Sequence, residues 1–254
     1  MPIKSDLVNA VKRREAVLFA GAGISWKSIG FGGVHIRDQL GQQIANDFPG
    51  YDHTLRSLED VCDEYAAVYD KTRLVVDLAA LIPKNKKPQD SHIAAVKAFR
   101  FIVTTNWDML FEAAYNAINQ DFQVLVRDVD APLFNYDQHN LLKIHGSAIH
   151  PTSLVATTED YENYEETHVE LLKKVTNLLD NNTVLFVGYG LRDEHIRHLL
   201  ARIRRGRKQW TRKAFAVGSF DQVRTKLLAS RDIETIPADA DEFLTQLAAE
   251  VFDF

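Results

Sequence analysis

The sequence predicts an α/β fold organised around a doubly wound parallel β-sheet. Short runs of Val, Ile, Leu and Phe recur without polar alternation, as expected for strands that helices cover on both faces. Segments with apolar residues at helical spacing lie between these runs. Regular alternation of the two kinds of segment is typical of parallel sheets joined by crossover helices.

Five apolar runs are predicted to form buried strands, and the intervals between them are predicted to be helical. The strands cover residues 16–20, 101–105, 141–144, 183–187 and 214–217. Apolar residues four positions apart predict a helix over 36–48, and Ser91 is the predicted N-cap of a helix ending at Phe99. Residues 58–81 mix apolar and acidic residues and are predicted to form two helices. The other predicted helices cover 108–118, 165–179, 193–203, 221–228 and 241–252.

The chain length of 254 residues is enough for one large α/β domain with an inserted lobe or for two small domains, and because no linker divides the sequence cleanly we expect a single domain over residues 1–254. A helical segment at about residues 51–87 lies between the first strand–helix unit and the next strand. We therefore expect this segment to form a helical lobe inserted in the core. Such a lobe either closes over a ligand or serves as a cap for the core.

Charge and hydropathy argue against several classes of partner. The formal net charge is −5, whereas a protein that binds nucleic-acid backbones is usually basic, so we expect no direct nucleic-acid binding. The sequence has no apolar run of about 20 residues and no stretch of signal-peptide form, so we expect no membrane contact and a cytoplasmic location. The basic run at 202–213 is interpreted as a solvated helix end and loop.

Cys62 is the single cysteine of the sequence. One thiol excludes an intrachain disulfide and a cysteine-rich zinc site. Acidic residues flank Cys62 on both sides and disfavour a thiolate. We therefore expect Cys62 to be a partly buried helix residue rather than a nucleophile.

A glycine turn follows the first predicted strand directly and reads Gly21-Ala22-Gly23-Ile24-Ser25. Glycines at this place let the backbone turn tightly and approach a ligand pyrophosphate, whose charge is favoured by exposed amides. Ligands bind at the carboxyl ends of strands in open α/β sheets, which favours a site here. The third glycine of the usual dinucleotide fingerprint is missing, so a turn that serves only packing is the alternative.

Polar residues also follow the second and third predicted strands. Thr105 ends one of them and is followed by Asn106 and Asp108, and His145 follows the other. A histidine titrates near neutral pH and can act as a general base. The structural alternatives are that Asn106 or Asp108 caps the next helix and that hydrogen bonds satisfy His145 as a core residue. Convergence of several such strand ends on one edge favours a site.

The fourth predicted strand leads into Gly188, Tyr189 and Gly190. The two glycines would let the backbone approach a ribose or an adenine. The alternative is a simple turn followed by a helix for which Asp193 is the predicted N-cap.

Taken in order, these four motifs resemble those of the sirtuin superfamily. They read GAGIS, TTNWD, KIHGS and GYGLRD, where sirtuins usually show TQNID for the second, LHG for the third and GTSL or GYSL for the fourth. Residues 91–95 also resemble the His-x-Ala-Leu helix of that family. The resemblance spans roughly residues 18–200 and implies a Rossmann-like sheet that binds NAD.

The sequence departs from the protein-deacylating sirtuins after His145. Those proteins usually carry four zinc-binding cysteines there, whereas residues 147–164 contain none. This segment resembles the zinc-less sirtuin-like domains of bacterial anti-phage defence systems, whose known activities are closer to NAD hydrolysis. The resemblance implies NAD as a substrate, no zinc module and no metal. Thr105 replaces the glutamine of TQNID, so a role of that position in ribose binding is in doubt.

Transferred residue by residue, the resemblance implies that Asn106 and His145 are catalytic. Asn106 would hold the nicotinamide ribose and a water, and His145 would act on a ribose hydroxyl or on that water. Asp108 would bond the carboxamide. The other implied NAD-binding residues are Gly21, Ala22, Gly23 and Ser25 on the pyrophosphate and nicotinamide side, Thr105 at the position of the TQNID glutamine, and Gly188, Tyr189 and Gly190 on the adenosine side.

The sequence therefore predicts an NAD glycohydrolase that cleaves the nicotinamide–ribose bond and depletes NAD in anti-phage defence by abortive infection. A constantly active enzyme would harm its host, so we expect control by assembly, as a homo-oligomer or with a separate sensor subunit. Two alternatives stay open. One is an NAD-dependent protein deacylase, and the other is a non-catalytic module that binds NAD or ADP-ribose.

Overall fold

A seven-stranded β-sheet, parallel throughout, forms the centre of the structure, a computed structural model that describes residues 3–30, 32–189 and 213–252. The strand order is β3-β4-β2-β1-β5-β6-β7. The strands are β1 (Ala16–Ala20), β2 (Phe101–Thr104), β3 (Phe122–Leu125), β4 (His139–Lys143), β5 (Thr183–Val187), β6 (Ala214–Val217) and β7 (Ile233–Ile236). The prediction of a doubly wound, Rossmann-like parallel sheet is confirmed.

Helices cover both faces of this sheet. Within the described residues they are α1 (Ser5–Lys12), α2 (Trp26–Ile29), α3 (Gly33–Asp47), α4 (Leu58–Tyr69), α5 (Lys71–Leu81), α6 (Asp90–Ala98), α7 (Leu110–Ala117), α8 (Thr158–Glu162), α9 (Tyr164–Thr167), α10 (Val169–Asn181), α11 (Gln222–Ala229) and α12 (Ala240–Phe252). Short 3₁₀ turns lie at Ala22–Ser25, Asp128–Leu133 and Pro151–Ser153.

Two apolar layers bury the strands. On one face, Leu18 and Ala20 of β1 pack with side chains of α1, α6, α7 and α12. On the other face, Val17 and Phe19 pack with side chains of α9 and α10 and with Leu228 of α11. Because β1 is apolar on both faces, it occupies the centre of the sheet, where neither face meets water.

The carboxyl ends of β1, β2, β4 and β5 meet at one edge of the sheet. Ala20 of β1 lies opposite Thr104 of β2 and Val187 of β5, and Thr104 lies opposite Lys143 of β4. The Ile144 amide donates a hydrogen bond to the Thr104 carbonyl (2.9 Å), so the pairing continues beyond β4. The segments that follow these strands therefore leave the sheet side by side.

A third apolar cluster joins α3, α4 and α5. The predicted division of 58–81 into two helices is confirmed, with the break at Asp70, whose φ is +90° and whose carboxylate accepts the Arg73 amide (2.8 Å). Ser57 begins α4 with a capping box, because its hydroxyl accepts the Asp60 amide and the Asp60 carboxylate accepts the Ser57 amide (2.9 Å each). The assignment of residues 51–87 to an inserted lobe of a single domain stays a prediction.

Several predicted boundaries were wrong. The strand predicted at 141–144 is β4, which begins at His139, and the edge strands β3 and β7 were not predicted. Ser91 does not cap α6, because the helix begins at Asp90 and Ser91 is fully buried within it. The predicted helix over 193–203 lies outside the described residues.

Cys62 is fully buried in α4, more deeply than the sequence indicated. Burial raises the pKa of its thiol to about 12, which keeps the thiol protonated near neutral pH. None of the helices in the described residues has the length and apolar character needed to cross a bilayer.

Candidate active site

A cavity of about 230 Å³ lies at the edge of the sheet where β1, β2 and β4 end. The predicted site residues that line it are Ala22, Ser25, Thr105, Asn106, Asp108 and His145. Apolar side chains from α2, α3, α4 and the end of α5 complete the wall, namely Ile29, Ile36, Leu58 and Ile82. The cavity therefore joins the strand ends to the helices inserted between β1 and β2.

The glycine turn after β1 packs against the segment that follows β5. The Gly21 amide donates to the Val187 carbonyl (3.0 Å), and the Gly23 amide donates to the Gly188 carbonyl (2.8 Å). A Cβ on Gly21 would lie 2.7 Å from the Gly188 carbonyl oxygen, and one on Gly188, at φ +61°, would lie 2.3 Å from the Ile24 nitrogen. These glycines let two backbones touch. Gly21, Gly23 and Gly188 do not line the cavity, although Ala22 and Ser25 do.

On the predicted adenosine side, neither Gly188 nor Tyr189 lines the cavity. Tyr189 packs its ring on Phe19, with centroids 4.9 Å apart, and on Phe186, with centroids 6.4 Å apart. Tyr189 does not line the cavity, and Gly190 lies outside the described residues. The Tyr189 ring therefore packs on the core beneath the sheet edge.

Asn106 is held from both its main chain and its side chain. Its amide donates to the Thr104 hydroxyl (3.0 Å), which donates in turn to the Ala20 carbonyl (3.0 Å). Its side-chain Nδ2 donates to the Ser25 hydroxyl (3.0 Å). Asn106 is 5% exposed, and its Oδ1 is buried with no hydrogen-bond partner among the described residues. A buried acceptor without a partner is unusual in a folded protein and marks a place where a ligand donor can bind.

Asp108 lines the cavity and also supports the start of α7. Its Oδ1 accepts the Leu110 amide, the first amide of that helix (3.0 Å). The capping interpretation and the site interpretation are therefore compatible for this residue, because a carboxylate has a second oxygen.

His145 follows β4 and is 6% exposed. Its ring meets the rings of Tyr161 and Tyr164 edge to face, with centroids 5.4 and 6.1 Å apart. The next residue, Gly146, has φ +90°, and the His145 carbonyl accepts the Val155 amide (3.1 Å). Ring contacts and a fixed turn therefore hold the imidazole at the cavity wall.

Two lining aromatic residues were not predicted as site residues. Trp107 lies within the TTNWD motif directly after Asn106, so the sequence could have identified it as a lining residue. Tyr161 lies in α8, and its place depends on how the chain returns after β4, for which the sequence carries no local signal.

The described residues do not fit the zinc site of protein-deacylating sirtuins. Residues 147–164 contain no cysteine. In the described ranges, no group of three His, Cys, Asp or Glu side chains is arranged to hold a metal ion.

Comparisons with known proteins agree with this arrangement. The chain is 26% identical over 202 residues to the NAD(+) hydrolase ThsA of Bacillus cereus (strain MSX-D12), which covers 78% of this chain and 42% of that protein. It is 28% identical over 119 residues to Defense-associated sirtuin 2 of Bacillus subtilis, covering 46% of this chain and 12% of that protein. It is 26% identical over 102 residues to the NAD(+) hydrolase ThsA of Cytobacillus dafuensis, and this match covers 40% of this chain and 21% of that protein.

The chain thus spans less than half the length of these curated relatives. The family model of the SIR2-like domain matches residues 100–236, which include Asn106, Asp108 and His145 and make up more than half of the chain. On this match and on the sheet and strand-end motifs described above, the chain belongs to the SIR2-like domain family.

Proposed function

We propose that this chain binds NAD in the cavity and hydrolyses its nicotinamide–ribose bond to nicotinamide and ADP-ribose. One observation carries the proposal. Asn106 and His145, which follow different strands, line the same cavity, and the Oδ1 of Asn106 is buried with no hydrogen-bond partner among the described residues. Two relatives named NAD(+) hydrolase support the choice of reaction.

Cleavage of the nicotinamide–ribose bond requires the protein mainly to position the substrate and a water molecule. The bond from C1′ of the ribose to the pyridinium nitrogen breaks, its electron pair stays on the nicotinamide, and a water oxygen bonds to C1′. The proton that the water loses passes to a base or to solvent. Because the leaving group departs neutral from a pyridinium, no acid is needed to protonate it. Orientation of the water and stabilisation of the cation-like ribose therefore provide the rate enhancement.

In this proposal Asn106, His145, Asp108 and Ser25 act as follows. Asn106 accepts a hydrogen bond through Oδ1 from a ribose hydroxyl or from the attacking water. His145 accepts a proton from that water or ribose hydroxyl. Asp108 bonds the carboxamide of the nicotinamide. Ser25 fixes the Asn106 amide through the 3.0 Å hydrogen bond to Nδ2.

The size of the cavity supports binding of one end of the dinucleotide within it. Its volume of about 230 Å³ is below the roughly 300–1,000 Å³ of pockets that enclose a whole drug-sized ligand. We therefore place the nicotinamide and its ribose inside, beside Asn106 and His145. The pyrophosphate then lies over Ala22 and Thr105, and the adenosine extends along the sheet edge towards Gly188 and Tyr189.

The direct test is to incubate the purified protein with NAD and measure nicotinamide and ADP-ribose by chromatography, with and without an acetylated peptide. We expect Asn106→Ala and His145→Ala to abolish product while the thermal unfolding midpoint changes little. Exposed Asn116→Ala and His150→Ala serve as matched controls and should keep full activity. Product that persists in both cavity variants, or product that requires the peptide, would refute the proposal.

We further propose a role in anti-phage defence, with activity controlled by assembly. The similarity to a defence-associated sirtuin supports this role. A homo-oligomer or a sensor subunit would then switch the NADase on. The test is to compare NADase activity with molecular mass in solution over a range of protein concentrations. Full activity in a species that is monomeric at every concentration would contradict control by self-assembly.

A further inference from the structure

A buried ion pair lies behind the cavity, between Lys143 at the end of β4 and Glu112 on α7. Lys143 is 1% exposed and Glu112 is 6% exposed, and Nζ lies 2.9 Å from Oε1. The other carboxylate oxygen of Glu112, Oε2, is buried with no hydrogen-bond partner among the described residues. Neither residue lines the cavity.

The Lys143 ammonium also contacts the loop that carries Asn106. It donates a hydrogen bond to the main-chain carbonyl of Asp108 and lies 3.8 Å from the Met109 sulfur. Lys143 itself precedes His145 by two residues. One side chain therefore connects the segment carrying His145 to the loop carrying Asn106 and Asp108.

Stability alone is a poor explanation for this pair. Removal of two ions from water costs more than their attraction usually returns, and an apolar pair of similar volume is often equally or more stable. Burial raises the pKa of Glu112, although the nearby Lys143 ammonium lowers it. The raised pKa shows that burial makes the ionised carboxylate costly at this position. What an apolar pair cannot supply is a hydrogen bond to the Asp108 carbonyl.

We propose that Lys143, itself held by Glu112, is a positioning residue that fixes the Asn106–Asp108 loop relative to His145. This inference rests on the proposed NAD hydrolysis. Beyond the strand ends, two further links between the two segments are described besides Lys143, namely the hydrogen bond from the Ala148 amide to the Trp107 carbonyl (2.9 Å) and the contact of the Ser147 hydroxyl with the Met109 sulfur (3.5 Å). Loss of Lys143 would leave the loop folded but free to shift, and displacement of a catalytic group by about 1 Å can cost about 100-fold in rate.

The test compares the wild type with the double variant Lys143→Met/Glu112→Leu. Either single variant leaves a buried group unpaired and can fail to fold, whereas the double variant removes both charges. We expect the double variant to unfold at the same temperature as the wild type or higher. Its kcat for nicotinamide release should fall about 10- to 100-fold, while KM changes little. A surface pair remote from the cavity, removed as Lys213→Ala/Asp6→Ala, is the control and should leave kcat unchanged.

Hydrogen exchange supplies a readout that does not depend on activity. We expect faster exchange in the double variant at the Leu110 and Ala148 amides, which bond Asp108 and Trp107, and unchanged exchange in β1 and β5. A double variant with wild-type kcat, or with unchanged exchange at both amides, would overturn the positioning role. If the wild type releases no nicotinamide, the proposed function fails, and exchange still decides whether Lys143 fixes the loop.

Discussion

Asn106 donates a hydrogen bond from its side-chain nitrogen to the hydroxyl of Ser25, 81 positions earlier in the chain, at 3.0 Å. Both residues are buried, at 5% and 3% exposed. With Nδ2 on Ser25, the amide oxygen Oδ1 is left buried with no hydrogen-bond partner among the described residues. The turn after β1 thus sets the orientation of a residue that follows β2.

Ser25→Ala tests this relationship. The variant loses the acceptor of the Asn106 Nδ2, so the amide is free to rotate and a buried donor is left unpaired. We expect kcat/KM for NAD hydrolysis to fall about 2- to 12-fold, which corresponds to one hydrogen bond of about 0.5–1.5 kcal/mol. Ser230→Ala removes an exposed hydroxyl that bonds the Leu227 carbonyl and is the control. Equal activity of Ser25→Ala and wild type would show that Asn106 does not depend on Ser25.

Gly146→Ala tests the turn that holds His145. Gly146 has φ +90°, and a Cβ there would lie 2.1 Å from the Ser153 carbonyl oxygen, so backbone must move. We expect a loss of at least about 3 kcal/mol in the free energy of unfolding, measured in urea.

Gly50→Ala is the matched control for the turn. Gly50 has φ +97° with no atom within 4 Å of the added Cβ, so it reports only the cost of the left-handed conformation, about 1–2 kcal/mol. If the two variants lose the same free energy, close contact with Ser153 has no role in the turn.

The central part of the fold was predictable because β1, β2, β5 and β6 are buried on both faces and read as continuous apolar runs. The edge strands were not. In β7 the sequence IETI places Glu234 on the solvent side, and β3 is half-buried, so neither forms an uninterrupted apolar run. The start of α6 was not predicted either, because Gln89 rather than Ser91 is the residue that precedes the helix.

The polar lining of the cavity was predictable for a related reason. Ser25, Asn106 and His145 lie within five residues of the ends of β1, β2 and β4, and parallel strands place their carboxyl ends together. The roles of Gly21 and Gly188 were not predictable, because close contact between two backbones depends on strand order. The same holds for Tyr161, which reaches the cavity only through the path of the chain after β4.

Asp160→Asn tests the hydrogen bonds that hold the segment after β4 against Lys71 of α5. Asp160 accepts the Lys71 ammonium (2.5 Å) and the amides of Ala156 and Thr157 (2.9 and 3.0 Å). Burial opposes ionisation of Asp160, but the hydrogen bonds from Lys71 and from these amides hold the pKa of the carboxyl below its usual range. A lowered pKa stabilises the fold above the unfolded pKa of about 3.9, and this contribution is lost as pH falls through the folded pKa.

We therefore expect Asp160→Asn to lower the free energy of unfolding by about 1.5–3 kcal/mol at pH 7. The difference from wild type should shrink as the pH falls below about 4. Urea denaturation at several pH values measures both effects. In the Lys71→Met background the same substitution should cost less, because one charged partner is already gone. A difference that is constant with pH would contradict the assigned ionisation.

Tyr161→Ala tests whether ring contact orients the imidazole of His145. The two rings meet edge to face with centroids 5.4 Å apart, and Tyr161 lines the cavity, so its removal leaves one side of the imidazole without support. Contacts of this kind contribute about 0.5–1.5 kcal/mol, so we expect kcat to fall about 2- to 12-fold. Tyr161→Phe keeps the ring and should retain most of the activity. Tyr136→Ala removes an exposed ring that packs on Phe134 away from the cavity and should leave kcat unchanged. If Tyr161→Phe loses as much activity as Tyr161→Ala, the phenol hydroxyl rather than the ring is the group that matters, and it would then act on substrate or on His145 by hydrogen bonding.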